Sequence, residues 1–462
     1  MPTFTVQELV RATQGALVVG DLGLTVSGVS IDSRTLRVGE AFVAIRGHRV
    51  DGHEFIREAA SRGAACIVAH AVPDPIPAGV PLVLVEDTTR ALGRLAAWHR
   101  ARFAIPVVAV TGSNGKTTTK EMTAAVLATR WRVLRPEASF NNQWGVPLTL
   151  LGLTAEHEAA VLELGTNRRG EIAYLAGLAA PTVGVVTAVA AVHTEFLGSL
   201  DGVREEKCDL VRAIPPEGRV VLNADDPRVL GMARDSRAPV LTYGCGSGAD
   251  VRAEAVVEDA DGLAFTLAAG GARVPVRLAF VGRHNVANAL AAAAVGLALG
   301  LGLEEIARGL AAARPPAGRL TWRRAGDVRI LDDSYNANPA SVRAALDTAA
   351  AHRGAGRLVV VLGDMLELAD PEAAHAEVGR HAATAGAALL VGVGRWTRLT
   401  VEAAAAAGVP EAHHVAGVED AVAHLLKRVG PGDLVLVKGS RGMRMERVAD
   451  ALTARLGRSG RE

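Results

Sequence analysis

Residues 107–118 carry the sharpest chemical signal in the chain. An apolar run, Val107 to Thr111, leads into Gly112-Ser113-Asn114-Gly115-Lys116-Thr117-Thr118, and a helical stretch follows. Glycines there let the backbone curl until several N–H groups point at phosphate oxygens. The start of the helix adds its positive end. Lys116 would then reach the outer phosphates, and Thr117 would offer its hydroxyl to Mg²⁺. The spacing is not that of a full Walker A sequence, because Val110 stands where an earlier glycine would be. The plain alternative, a Gly-Asn turn capping a helix, leaves the strand before it and the lysine unexplained.

That lysine is informative because lysine is scarce. Lys116, Lys120, Lys207, Lys427 and Lys438 are the only ones, beside 45 arginines. Where arginine is the default cation, a lysine in a polar loop marks a role arginine would not fill. Asparagine is also rare: nine residues, all between Asn114 and Asn338.

Ligands of an open parallel sheet gather beyond the carboxyl ends of its strands. Glu163 ends the apolar run AAVLELG, His193 follows VGVVT in AAVHTEF, and Lys207 lies in VREEKCDL. A carboxylate facing phosphate-bound Mg²⁺ is ordinary chemistry, whereas histidine is a less usual ligand for that ion. Each residue has a bland reading. Glu163 would cap a helix, His193 would hydrogen-bond within a loop, and Lys207 would pair with Glu205 or Glu206. Beside a phosphate loop, the three together read as a metal-handling set.

Two further constellations follow. Gly282-Arg283-His284-Asn285-Val286-Ala287-Asn288 opens an Ala-rich helix, with Asn285 and Asn288 on one face. After Pro315-Pro316-Ala317-Gly318 comes Arg319, and then a strand ending in Asp332-Asp333-Ser334-Tyr335-Asn336-Ala337-Asn338-Pro339. Acids and amides at a strand end, before a Pro-started helix, suit ribose and peptide contacts better than an ordinary turn.

The elements that must position these residues fall into three stretches, as expected for 462 residues. Residues 1–103 mix a helix in TVQELVRATQ, strands in SGVSIDSRT, AFVAIRG and AACIVAH, a helix from Asp51 to Arg62 and another from Thr88 to Phe103. Residues 104–314 alternate apolar runs with helices (VVAVT, AAVLELG, VGVVTAV, RVVLNAD, PVLTYG), the mark of a parallel sheet covered on both faces. Residues 315–462 repeat the alternation in VRILDDS, RLVVVLGD, ALLVGVG and DLVLVKGS. No internal repeat is visible.

Composition narrows the partners. A formal net charge of +1 and no basic run argue against nucleic acid. Cys66, Cys208 and Cys245 are far apart, with neither zinc spacing nor a disulfide framework, which fits a reducing compartment. The N-terminus is no signal peptide. The apolar stretch from Ala289 to Leu303 is too short to span a membrane and reads as a buried helix. A cytoplasmic monomer is expected.

Across essentially its whole length the chain resembles the Mur ligase family. TGSNGKTTTK, ELG, the His193 loop with GSLDGVREEK, GRHNVANALAAAA, PAGR and DDSYNANP carry the likeness in order and spacing. The resemblance implies an α/β protein of three domains: an N-terminal α/β UDP-binding domain, a central P-loop parallel-sheet ATPase domain and a C-terminal Rossmann-like domain. DSRTLRVGEAFVAIRGHRVDGHEF is similar to members that extend the peptide late, and it implies that Ser33 and Arg34 hold the UDP part of the substrate. SFNNQWGVPLTLL, YNANPAS and GDMLELAD resemble the member that adds D-alanyl-D-alanine to a UDP-muramyl-tripeptide. No Asn-Pro-Arg motif of the preceding member, which adds the third amino acid, is found; that member is the alternative. Where such ligases usually read Gly-Ala-Asn-His, this chain reads Gly165-Thr166-Asn167-Arg168.

The implied reaction is ATP-dependent amide formation through an acyl phosphate. Gly112, Ser113, Asn114, Gly115, Lys116, Thr117, Thr118, Asn285, Arg319 and Asp333 would hold ATP. Lys116, Glu163, His193 and Lys207 would be catalytic. Two Mg²⁺ ions are implied, one on Thr117 and Glu163, the other on His193 and a carbamylated Lys207. Asn141, Asn142, Asn167, Tyr335 and Asn336 would contact substrate. Other classes stay open at this point: a small-molecule kinase, a nucleotide sensor, or a folyl-polyglutamate ligase, which would leave the first hundred residues unexplained.

Overall fold

The computed structural model describes residues 3–47, 50–136, 139–192, 194–259 and 261–457. The chain is a mixed α/β protein with three main sheets, and each sheet is built from one of the three stretches.

The first sheet has five strands in the order Ala16–Val19, Leu82–Leu84, Cys66–Ala69, Ala41–Val43, Val29–Ser30, and all but the first pair are parallel. The helix expected from Asp51 to Arg62 is broken. A 3₁₀ turn at Gly52–Phe55, capped by Asp51, precedes a short helix, Ile56–Ser61. Helix Thr88–Arg100 is seated on the middle stretch. The His99 ring bonds Leu153 O at 2.9 Å, Arg100 donates to Ala179 O at 3.0 Å, and Trp144 Nε1 donates to Thr89 at 3.0 Å. One buried apolar cluster runs without a break from Phe4 through Leu92 and Leu162 to Leu222, so the first two sheets share a core.

The middle sheet has nine strands. Seven consecutive strands run parallel, from Val133–Leu134 at one edge through Ala159–Glu163, Val107–Thr111, Val183–Val186, Arg219–Asn223 and Val240–Gly244 to Val251–Asp259. Val107–Thr111 and Ala159–Glu163 are buried at every position, which is why they read as continuous apolar runs rather than alternating ones. The far edge differs from the simple alternation expected. Val251–Asp259, Gly262–Ala269 and Ala272–Leu278 form an antiparallel meander. The stretch expected to be helical as far as Leu303 is broken at Leu299–Gly302, and Leu303 opens the next helix. The Ala-rich helix runs His284–Ala298, with Ala289 to Val295 fully buried. Alanine lets it lie close against the helix that follows the phosphate loop.

The third sheet orders Thr321–Ala325, Val328–Asp333, Leu434–Lys438, Leu358–Gly363, Ala387–Val393 and Glu411–Val415, parallel except for its first strand. Separate apolar clusters cover its two faces. Among the described residues no helix is long and apolar enough to cross a membrane.

Candidate active site

Strand Val107–Thr111 ends at the phosphate loop, and helix Lys116–Leu127 begins directly after it. Gly112 and Gly115 have φ of 147° and 81°, a region open to glycine and strained for other residues. The loop is fixed from behind. Ser113 N donates to Ala188 O at 2.8 Å, and the Thr187 hydroxyl donates to Asn114 O at 2.6 Å. Lys116 Nζ folds back onto Gly112 O at 2.8 Å. Burial lowers its pKa; Glu163 opposes that shift and Arg319 adds to it.

Glu163 sits at the end of the neighbouring strand, 1% exposed. Its carboxylate accepts from Thr117 Oγ1 and from Asn141 Nδ2, both at 2.7 Å. No basic side chain of the described residues lies within ion-pair distance. Asn142 acts locally, since its side-chain oxygen accepts from the N–H groups of Trp144 and Gly145, which start the next helix.

Lys207 lies on helix Leu200–Ala213 and is 2% exposed. The ion pair with Glu205 or Glu206 is not formed. Glu205 binds Arg212 and Arg204 instead. Glu206 accepts from Thr166 Oγ1, Gly170 N and Ile172 N at 3.0, 2.7 and 2.8 Å. Among the described residues Lys207 Nζ has no hydrogen-bond partner, and burial, then the Lys116 charge, draws its pKa down to about 7. His193 lies outside the described residues.

The third sheet closes over this site. Arg319 donates to Thr117 Oγ1 at 2.8 Å and stacks on the Tyr335 ring at 4.2 Å. Asn338 Nδ2 donates to Asn114 Oδ1 at 2.6 Å. Asp333 is held by Lys438 Nζ at 2.5 Å, which also donates to Asn336 O. Asn285 and Asn288 do share a face: Asn288 donates to Asn285 Oδ1 at 2.9 Å and accepts from Thr119.

One cavity of about 850 Å³ results. Its wall contains every residue named from sequence for ATP, together with Glu163, Lys207, Asn141, Asn142, Asn167, Tyr335 and Asn336. Ser33 and Arg34 are not part of it. Ser33 donates to Glu58 at 3.1 Å, and Arg34 pairs with Asp32. Sequence reasoning missed Lys438, Arg441 and the Asn338 contact. Lys438 was findable, as one of five lysines, at the end of an apolar strand.

Three family descriptions match the chain. They are "Mur ligase family, catalytic domain" over residues 25–100, "Mur ligase middle domain" over 110–296 and "Mur ligase, glutamate ligase domain" over 318–441. The chain is 38% identical over 458 residues to UDP-N-acetylmuramoyl-tripeptide--D-alanyl-D-alanine ligase of Escherichia coli (strain K12), covering 98% of this chain and 99% of that protein. The solved UDP-N-acetylmuramoylalanyl-D-glutamyl-2,6-diaminopimelate--D-alanyl-D-alanyl ligase from Acinetobacter baumannii is 32% identical and superposes with a TM-score of 0.87, covering 98% of this chain and 99% of that one. The MurF ligase from Thermotoga maritima, solved in complex with ADP, is 28% identical at a TM-score of 0.80, covering 94% and 98%.

Proposed function

The chain belongs to the Mur ligase family, and from that premise we infer that it joins D-alanyl-D-alanine to UDP-N-acetylmuramoyl-tripeptide in an ATP-dependent, ADP-forming reaction of peptidoglycan precursor synthesis. The observation that carries this is near-full-length similarity to ligases of that name, in a chain whose phosphate loop and third sheet meet in one cavity. The preceding ligation step is not favoured. Three structural units, 1–103, 104–314 and 315–462, divide the work: UDP binding at Ser33 and Arg34, ATP binding, and closure over the reacting groups.

The terminal carboxylate of the tripeptide attacks the γ-phosphorus, and ADP leaves. The dipeptide amine then attacks the acyl carbon, loses a proton and expels phosphate, leaving an amide. The loop N–H groups and the helix start cradle the phosphates. Lys116 exchanges its carbonyl contacts for phosphate oxygens and follows the transferred group. Arg319, already on the Thr117 hydroxyl, supplies a fixed charge beside it. Closure keeps water from the acyl phosphate.

Mg²⁺ fits the donor set. Thr117 and the buried Glu163 present hard oxygens 2.7 Å apart. Among the described residues no three His, Cys, Asp or Glu side chains gather to hold an ion, so most of a shell would come from phosphate and water, as Mg²⁺ prefers. Bound there, Mg²⁺ would offset the repulsion between triphosphate and carboxylate. For a second ion we propose His193 and a carbamylated Lys207. The buried, unpaired amine of Lys207 and its lowered pKa support the carbamate.

The test is ADP release with ATP, Mg²⁺, the tripeptide substrate and D-Ala-D-Ala omitted one at a time. Release is expected only with all four. Joining a free diamino acid to the UDP-muramyl-dipeptide instead would move the chain to the preceding step.

A further inference from the structure

The cavity wall holds three arginines, Arg168, Arg319 and Arg441. Arg319 bonds the Thr117 hydroxyl, and Arg441 pairs with Glu446. Arg168 is the exception. Among the described residues no carboxylate lies within ion-pair distance of its guanidinium, and no acceptor bonds it. Its guanidinium carbon lies over the ring of Phe196, 5.8 Å from the centroid. Phe196 also lines the cavity and is 45% exposed.

An exposed arginine would ordinarily wave in solvent, but the backbone of this one is anchored. Arg168 N donates to Glu171 Oε2 at 3.1 Å, and the neighbouring Asn167 N donates to the same oxygen at 2.7 Å. Arg168 O accepts from Thr166 Oγ1 at 2.8 Å. The same hydroxyl proton is shared with the buried Glu206, whose carboxylate also accepts from Gly170 N and Ile172 N. The loop therefore presents a guanidinium from an anchored backbone, over an aromatic ring and with its five donors unspent among the described residues. Arginine in that setting is suited to forked recognition of a carboxylate. A site prepared before binding loses less entropy when the ligand arrives.

The substrates supply such groups. A glutamyl residue linked through one carboxyl keeps the other. A diaminopimelate keeps one carboxylate after the other has reacted, whereas a lysine in its place keeps none. D-Ala-D-Ala carries its own C-terminal carboxylate. We propose that Arg168 binds a substrate carboxylate that takes no part in the new bond, and that Phe196 holds its guanidinium in position. The proposal rests on the ligase reading given above.

The experiment measures kcat and KM of the full chain for three substrates: the tripeptide ending in meso-diaminopimelate, the one ending in L-lysine, and D-Ala-D-Ala. R168A and R168K are compared with R169A. Arg169 is an adjacent, exposed arginine outside the cavity wall. R168A is expected to raise one KM about tenfold or more, the scale of a lost charge-assisted bond, with kcat nearly unchanged. R168K should recover only part of it, and R169A should match wild type. A rise confined to the diaminopimelate tripeptide assigns the carboxylate to the third residue. A rise for both tripeptides assigns it to the glutamyl residue, and a rise for D-Ala-D-Ala to the dipeptide. Unchanged KM throughout overturns the proposal, as does a fall in kcat alone or an equal rise in R169A. A wild type that releases no ADP with either tripeptide would sink the ligase reading instead.

Discussion

Lys207 shows what a single residue can reveal. A buried ammonium without an acid beside it is costly, because taking a charge out of water needs a compensating partner. Its two neighbouring glutamates are committed elsewhere, Glu205 to Arg212 and Glu206 to the 166–172 loop. An arginine would serve an ion pair as well, yet this arginine-rich chain keeps a lysine. Guanidinium cannot give up its proton and so cannot form a carbamate. Lys207→Arg is therefore expected to lower turnover by about 10–100-fold, the range seen when support of a metal centre is lost. Because arginine is bulkier, a second readout is needed. Wild-type turnover should fall in CO₂-depleted buffer and return with bicarbonate. Near-normal turnover of a folded Lys207→Arg protein, with no response to bicarbonate, would exclude the carbamate.

At the scale of elements, helix Pro339–His352 links fold to site through the residue that caps its start. Asn338 is its N-cap: the side-chain oxygen accepts from Ser341 N, and the amide nitrogen reaches Asn114 in the phosphate loop. The two roles separate by substitution. Asn338→Ser keeps a capping oxygen but cannot span to Asn114, so stability should hold while KM for ATP rises severalfold. Asn338→Ala should lose both, with about 1 kcal/mol of stability gone. Chemical denaturation alongside ATP titration checks this; equal effects of the two variants on KM and stability would contradict it. The helix itself is legible in the sequence, because Asn-Pro starts it, but the Asn114 contact is not, since it joins positions 224 apart. The buried parallel strands are legible for the same local reason: long apolar runs ended by polar residues. The meander at Val251–Asp259, Gly262–Ala269 and Ala272–Leu278 escapes that reading, although Gly270-Gly271 is a hairpin dipeptide between its last two strands. One side of these strands faces solvent, so their signal is alternation rather than an apolar run. Glu206 reads in sequence as a partner for Lys207. Its three acceptor bonds instead come from residues 34 to 40 positions away, which no local pattern announces.

For the whole molecule, the three sheets are not equally joined. The first and second share a continuous apolar core through helix Thr88–Arg100. The third meets the second through a few polar bonds: Arg319 to Thr117, Asn338 to Asn114, Ala369 N to Thr194, and His352 to Glu258. Val281, ahead of the linking segment, carries apolar packing across. Shared cores move together, whereas small polar interfaces between units permit relative motion. The third unit is therefore expected to be the one that opens to admit ATP. A latch outside the cavity wall is His352 Nε2 with Glu258 Oε1 at 2.8 Å, both largely buried, beside the Trp322 ring. Glu258 also accepts from Gly282 N at 2.5 Å. Glu258→Gln keeps an acceptor for Gly282 and removes the charge facing His352, so it weakens docking without touching the phosphate loop. The expected result is a larger radius of gyration without ligand by small-angle scattering, compaction to the wild-type value with an ATP analogue, and a KM for ATP raised severalfold at near-normal kcat. Binding energy from the nucleotide would then do the closing that the latch did before, which is why KM and not kcat should carry the change. Unchanged scattering with a lowered kcat would place Glu258 in the positioning of the reacting groups rather than in closure.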